Sequence, residues 1–282
     1  MQSVIIKPKN EILKRYIQYF LFFKKDSDQT LRYTTFPNNN LCLSIYKENS
    51  IDYQKTPESN QCLIYKGMKG FVSRLYGFHN RPFEVEIYSP LDQICILFNP
   101  SSLRAFTKKP YNSLLSSDSV FQEIFGLKSN QIIDSIFAVD DLKLRAEILE
   151  NVLMNELKNE ISPKLQEAIF LISDTKVNSM SIGTLKNRLK ISEVTLFRLF
   201  TNHLGQNPKS YLRTIRFRNA LTDITDSKQS LSNIAYTHDF FDQAHFIKDF
   251  KNFSGNTPKE LIKRLSIHQD NLAWIYNERA AE

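Results

Sequence analysis

Residues 181–265 carry one physical pattern twice, displaced by 50 positions. The first copy runs Ser192-Glu193-Val194-Thr195-Leu196-Phe197-Arg198-Leu199-Phe200 and is followed by Gly205 and Pro208. The second runs Asp242-Gln243-Ala244-His245-Phe246-Ile247-Lys248-Asp249-Phe250 and is followed by Gly255 and Pro258. Ser192 and Asp242 are helix-capping residue types, because their side-chain oxygens accept from the free N–H groups of a first turn. Leu196/Phe200 and Phe246/Phe250 stand four apart, on one helical face. The glycines suit a left-handed stop, and the prolines suit the first position of the next helix. A capped and stopped helix repeated in one register marks a duplicated unit. It excludes a fold in which this stretch forms strands.

Each copy is preceded by an apolar helical segment: Ile182, Leu185 and Leu189 before the first, Leu231, Ile234 and Ala235 before the second. Lys190 and Ile191 leave room only for a tight turn. Helix, short turn and second helix make a helix-turn-helix, whose second helix reads base edges in the DNA major groove. At 100° per residue, Leu196, Leu199, Phe200 and His203 face inward, and Val194, Arg198 and Thr201 outward. In the second unit Phe246, Phe250 and Phe253 face inward, Ala244, Lys248 and Lys251 outward, with Gln243 and His245 flanking. Arg198 is the leading candidate for a base contact, since a guanidinium pairs bidentately with guanine. Lys248 reads a base or holds a phosphate. His245 is a base reader or an ordinary surface or core histidine. Residues 209–225 read as a connecting helix of roughly 25 Å, which separates the two readers by about one DNA turn. Its Arg213, Arg216 and Arg218 serve either phosphate contact or internal ion pairs.

The second copy, through Ile234-Ala235, Phe240, Asp242-Gln243, His245-Phe246, Phe250-Lys251, Gly255 and Thr257-Pro258, resembles the AraC/XylS-type transcription regulators. The resemblance covers 181–265 almost throughout. It departs at Asp239, where the family usually has glycine, and at Leu261-Ile262, where it tends to have an aromatic. It implies groove-facing roles for Val194, Thr195, Arg198, Gln243, Ala244, His245 and Lys248, and action through contact with RNA polymerase. Thr201 joins this DNA-binding set from its outward position.

The charge agrees with that reading. Of 37 basic and 30 acidic residues, 14 basic and 7 acidic lie in 180–268, leaving 23 of each elsewhere. The whole net charge of +7 therefore sits on the DNA reader, where phosphate attraction needs it. Cys42, Cys62 and Cys95 lack metal or CxxC spacing and fit reduced thiols in a cytoplasmic protein. The start at Met1 has no signal-peptide pattern, and no apolar run reaches membrane-spanning length. No cofactor, metal or catalytic constellation is expected. A cupin-like enzyme with a DNA-targeting tail would need clustered histidines, and only His79 lies in the first 200 residues.

The expected fold class is α+β: an antiparallel β barrel or sandwich, then an all-α reader. The expected domains are a β-rich sensor at 1–125, a helical coupling segment at 126–175 and the reader at 176–282. Phe83 to Tyr88 alternates apolar and polar, while Ile94 to Phe98 is continuously apolar, as a central strand is. Ser89-Pro90-Leu91-Asp92 reads as the turn of a hairpin joining them. Over roughly residues 10–125, without a sharp motif, the chain resembles the β-rich sensor domains of some AraC-type regulators. Tyr16, Tyr19, Phe20, Phe22, Phe36, Phe71, Tyr76, Phe78, Phe83 and Phe98 either line a small-molecule effector pocket or fill a core. His79 and Arg81 bind an anion at its mouth or are simply exposed. An apolar stripe at Leu142, Leu149, Val152, Leu153 and Leu157 is core or the seam of a homodimer. A short helix around Trp274 is expected to pack back, and Ala280 to Glu282 to be loose. The alternative overall reading is an architectural DNA-binding module that senses nothing.

Overall fold

The computed structural model describes residues 2–56, 59–126, 128–173, 180–226, 229–269 and 272–276. Seven strands come first: β1 (Gln2–Ile6), β2 (Ile17–Lys25), β3 (Leu31–Thr35), β4 (Leu41–Lys55), β5 (Asn60–Tyr76), β6 (Phe83–Ile87) and β7 (Leu91–Phe98). They form a curled half-barrel in the order β1-β2-β7-β4-β5-β6-β3. All neighbours are antiparallel except β5 and β6, which are parallel. The continuous apolar run of β7 is explained by its central place, between β2 and β4. Period-two alternation sends its residues into two cores. Ile94, Ile96 and Phe98 meet helices on one face, and Cys95 and Leu97 line the inside of the curl. Strand β2 divides likewise, with Phe20 and Phe22 toward the helices and Tyr19, Leu21 and Phe23 inward.

The hairpin expected at 89–92 does not form. β6 pairs with β3 and β5, and β7 lies two strands further on. β6 has one wet face and β7 has none, so their burial demands place them apart. The crossover is tied down by side chains. Buried Lys25 donates to the Ser89 carbonyl at 3.0 Å, and Asn49 donates to the Pro90 carbonyl at 3.0 Å.

Five helices follow: α1 (Tyr111–Leu115), α2 (Val120–Phe125), α3 (Ser129–Phe137), α4 (Leu142–Asn155) and α5 (Pro163–Ser173). Asp141 caps α4 by accepting from the Lys143 N–H at 2.8 Å. The α4 stripe packs inside: Leu149 and Leu153 are fully buried against the half-barrel core, and Leu142, Val152 and Leu157 pack on it. The stripe is part of the intramolecular core. Leu165 and Ala168 of α5 belong to a different core, with Leu185, Leu196 and Phe200. Within the segment expected to couple sensor and reader, α4 packs on the half-barrel core and α5 on the core of the first helix-turn-helix.

The remaining helices are α6 (Ile182–Leu189), α7 (Glu193–Leu204), α8 (Pro208–Asp226), α9 (Leu231–Thr237), α10 (Gln243–Ser254) and α11 (Pro258–Arg264). The chain then returns to strand. β8 (Ile267–Gln269) pairs with β9 (Leu272–Tyr276), and β9 adds antiparallel to β3 at the edge of the half-barrel. The helix expected around Trp274 is therefore a strand, and the C-terminal part is not purely helical. An open edge at β3 offers unpaired backbone groups that a strand satisfies and a helix does not. Ala280 to Glu282 lie outside the described residues.

Candidate nucleic-acid interface

The two-unit repeat is visible in the backbone. Ser181 and Ser230 cap α6 and α9, and Ser192 and Asp242 cap α7 and α10, each accepting from an N–H three residues on. Gly205 and Gly255 close α7 and α10 at φ 73° and 71°. The two intervening turns place Lys190 and Asp239 at φ 53° and 55°. Asp239 stands where the resemblance expects glycine, and aspartate tolerates this left-handed conformation with some strain.

Burial follows the expected faces. Leu196, Phe200 and Leu204 of α7 are fully buried, as are Phe246, Phe250 and Phe253 of α10. Leu199 and His203 are half-buried. Val194, Thr195 and Arg198 are exposed on α7, and Gln243, Ala244, His245 and Lys248 on α10. Thr201 differs. It is half-buried, and its hydroxyl donates back to the Phe197 carbonyl at 2.9 Å, as threonine does in mid-helix. Two exposed side chains are preset by their neighbours. The Gln243 Oε1 accepts from the Ser232 hydroxyl at 2.7 Å, which turns its amide N–H groups outward. The His245 Nδ1 accepts from the Phe241 N–H at 3.3 Å, which leaves the ring proton on Nε2.

Helix α8 joins the units. At 19 residues it spans about 28 Å, near one turn of DNA. Its three arginines have separate fates. Arg213 and Arg216 both ion-pair with buried Asp249 of α10. Arg218 is buried on the opposite side, against the half-barrel. Their side chains are committed internally, so the phosphate role left open for them has little to rest on. The sequence reading did not pick out Asp249, although an acid set among inward-facing phenylalanines was a signal that it needed a cation.

Residues just after the half-barrel hold the far end of α7. Arg104 donates to the Asn202 carbonyl through Nε and Nη2 at 3.2 and 2.8 Å and lies 4.0 Å over the Tyr111 ring. The Tyr111 hydroxyl donates to the His203 carbonyl at 2.7 Å. These groups satisfy carbonyls that the end of α7 leaves without helical partners, and the cation suits that terminus. Gly205 lies so close to Tyr111 that an added Cβ would come within 3.3 Å of its ring, and at Gly255 within 3.3 Å of Pro82. The sequence pattern contained no hint of this grip, because Arg104 and Tyr111 carry no motif.

Inside the curl lies a cavity of about 130 Å³. Of the ten aromatic residues expected either to line a pocket or to fill a core, Phe36, Tyr76 and Phe83 line the cavity, and the alternation described above sends Phe20, Phe22 and Phe98 to the helix-facing core. All three cysteines line it as free thiols. His79 is on its wall, but Arg81 is exposed and does not join it. The His79 Nδ1–H donates to the Arg81 carbonyl at 2.6 Å. Burial pushes the His79 ring down to about 4, with Lys55 acting in the same direction. The unfolded chain therefore binds more protons between that value and the ordinary 6.5. This contribution to stability is full above 6.5 and is lost as pH falls toward 4. Denaturation midpoints measured from pH 7 to 4.5 should fall, and His79→Asn should flatten the fall. An unchanged slope in that variant would remove His79 as its source.

Among the described residues no cluster of three or more His, Cys, Asp or Glu could hold a metal ion, and no helix is long and apolar enough to cross a membrane. The family described as a helix-turn-helix domain matches residues 185–264, and a domain of unknown function (DUF6597) matches residues 5–119. XylDLEGF operon transcriptional activator 3 of Pseudomonas putida is 26% identical over 121 residues, 42% of this chain and 37% of that protein. The uncharacterised HTH-type transcriptional regulator YidL of Escherichia coli K12 is 33% identical over 88 residues, 31% of this chain and 30% of that protein. The match therefore spans only about a third of the length of these curated relatives. An AraC-type DNA-binding-domain regulator from Chromobacterium violaceum is similar in structure at a TM-score of 0.33 and 27% identity, over 36% of this chain and 91% of that one. Family match, relatives and repeated caps agree on one statement: residues 185–264 form a helix-turn-helix domain similar to those of HTH-type transcription regulators.

Proposed function

We propose that the protein reads two successive major grooves of double-stranded DNA sequence-specifically with residues 193–203 and 242–252, under the control of a small molecule held in the half-barrel. The observation that carries the DNA part is the exposure of Val194 and six polar or small side chains on the N-terminal halves of α7 and α10, while the C-terminal end of α7 is hydrogen-bonded to Arg104 and Tyr111 and that of α10 lies close to Pro82. A recognition helix reads bases from that N-terminal half. Arg198, exposed on α7, is the main base reader of the first unit; Lys248 and Gln243 serve the second, with Val194, Thr195, Ala244 and His245 shaping the contact. Thr201 supports the helix or meets a phosphate. The ligand part is supported by the cavity and by the shared wall between half-barrel and α8. The same reading places the protein in the cytoplasm beside RNA polymerase, with a 1–125 sensor, a 126–175 coupler and a 176–282 reader. Two copies would act together where operator sites are paired, through effective concentration.

Arg198→Ala tests it. The duplex should first be enriched from a random library by the intact chain. On that duplex the variant should lose about 1–3 kcal/mol and relax preference at one base pair. Equal losses on enriched and random DNA would remove Arg198 from base reading.

A further inference from the structure

Exposed apolar side chains collect around the reading helices. Of the ten large ones that stand exposed among the described residues, four belong to the two helix-turn-helix units: Val194 and Phe197 on α7, Tyr236 on α9, and Phe241 just before the Asp242 cap of α10. The pair on α7 forms a strip. Val194 is 61% exposed and Phe197 52%, and neither belongs to any hydrophobic core of the described residues. Their repeat-mates 50 positions on behave differently: Ala244 is small, and Ile247 packs on the core of the second unit. Val194 and Phe197 stand three apart, so their Cβ atoms lie about 5–6 Å from each other on one helical face. Thr201 continues the strip, and its hydroxyl already donates to the Phe197 and Arg198 carbonyls, at 2.9 and 3.3 Å. The strip thus presents no side-chain donor beside Arg198.

A phosphate gains nothing from such a strip, because it is held by N–H donors, hydroxyls and cations. The base edges of the major groove hold one apolar feature, the 5-methyl group of thymine. A methyl carbon fits between two side chains spaced this way, touching each at about 3.5–4 Å. We infer that α7 selects a thymine: Val194 and Phe197 enclose the 5-methyl group of a thymine at the base pair next to the guanine bound by Arg198. The inference rests on the DNA reading above and names what that site prefers. Phe197 and Arg198 are successive residues, 100° apart around the helix, so they reach neighbouring base pairs, which stack about 3.4 Å apart. A cytosine in the thymine's place would lose the methyl contact and turn its amino group toward a phenyl ring. Phe197 is thereby a specificity-determining residue of the first unit, without a counterpart in the second.

Uridine substitution decides it, because it removes the methyl group and leaves every hydrogen-bonding group of the base in place. On the duplex enriched by the intact full chain, each thymine is replaced in turn by deoxyuridine, and affinity is read by fluorescence anisotropy. At one thymine, beside the base pair whose preference relaxes in Arg198→Ala, binding should weaken about fourfold, the effect of one apolar carbon removed from contact. In Phe197→Ala the thymine and uridine duplexes should bind equally at that position. Failure to enrich any duplex would overturn the DNA reading itself. An enriched duplex with an Arg198-dependent preference, but no uridine penalty beside that base pair, would overturn the methyl contact alone and leave the exposed pair to a protein partner. A penalty that persists in Phe197→Ala would set the methyl against another side chain and overturn the assignment. Phe197 is exposed, so its truncation empties no core, and the uridine series on the unaltered chain reads the methyl contact however the variant behaves.

Discussion

Phe250→Ala is expected to lower the unfolding free energy by about 3–5 kcal/mol, as emptying a large buried aromatic site does. Phe250 is 2% exposed and meets Phe217 of α8 at 5.1 Å and Phe246 at 5.7 Å between ring centroids. The core it fills also contains Phe36 from the half-barrel side and Ile275 of β9. The loss should therefore loosen the second helix-turn-helix and its seat on the half-barrel together. Chemical denaturation followed by circular dichroism measures it, and DNA affinity should fall in parallel because α10 loses its support. A cost below about 1 kcal/mol would mean that this core collapses around the gap and does not hold α10.

Asp92→Ala is expected to cost about 3 kcal/mol, the lower end of the range for leaving a buried charge without its partner. Arg145 of α4 is 2% exposed and donates to both Asp92 carboxylate oxygens, at 2.7 and 3.0 Å. It also donates to the Val139 and Phe137 carbonyls and lies 5.1 Å over the Phe137 ring. One side chain thus ties the start of β7 to the corner between α3 and α4. Asp92 is partly exposed, which lets water reach the remaining cation and keeps the cost at the lower end. Asp92→Asn should cost less, since one hydrogen bond survives. Thermal unfolding of the two variants measures the difference; equal stability of the alanine variant and the unaltered chain would show that Arg145 is held by the carbonyls alone.

Local information made the repeated helix-turn-helix part legible. A cap, a stop and an apolar face are set by residues within one or two turns of each other. That is why Ser192, Asp242, Gly205 and Gly255 could be assigned from spacing, and why all take the expected roles. Exposure of Arg198, Gln243 and Lys248 follows from the same helical period. Thr201 is half-buried because its hydroxyl bonds its own helix, which a face projection does not register.

Strand order was less legible. Alternation in β6 and its absence in β7 identified one half-wet strand and one buried strand, yet not that two others lie between them. The tail shows the same limit: residues 272–276 were expected as helix, and the free edge of β3 makes them strand. By itself, then, the sequence determined the two repeated capped helices, their ends, their outward residues and the concentration of positive charge around them, because each depends on neighbours in the chain. Only the tertiary structure decided where the three arginines of α8 point, that Arg104 and Tyr111 hold the end of α7, and that Arg218 enters a cavity built by strands more than a hundred residues away. Those outcomes depend on which surfaces meet when the half-barrel and the helices pack, and no periodicity along one segment records its partner's geometry.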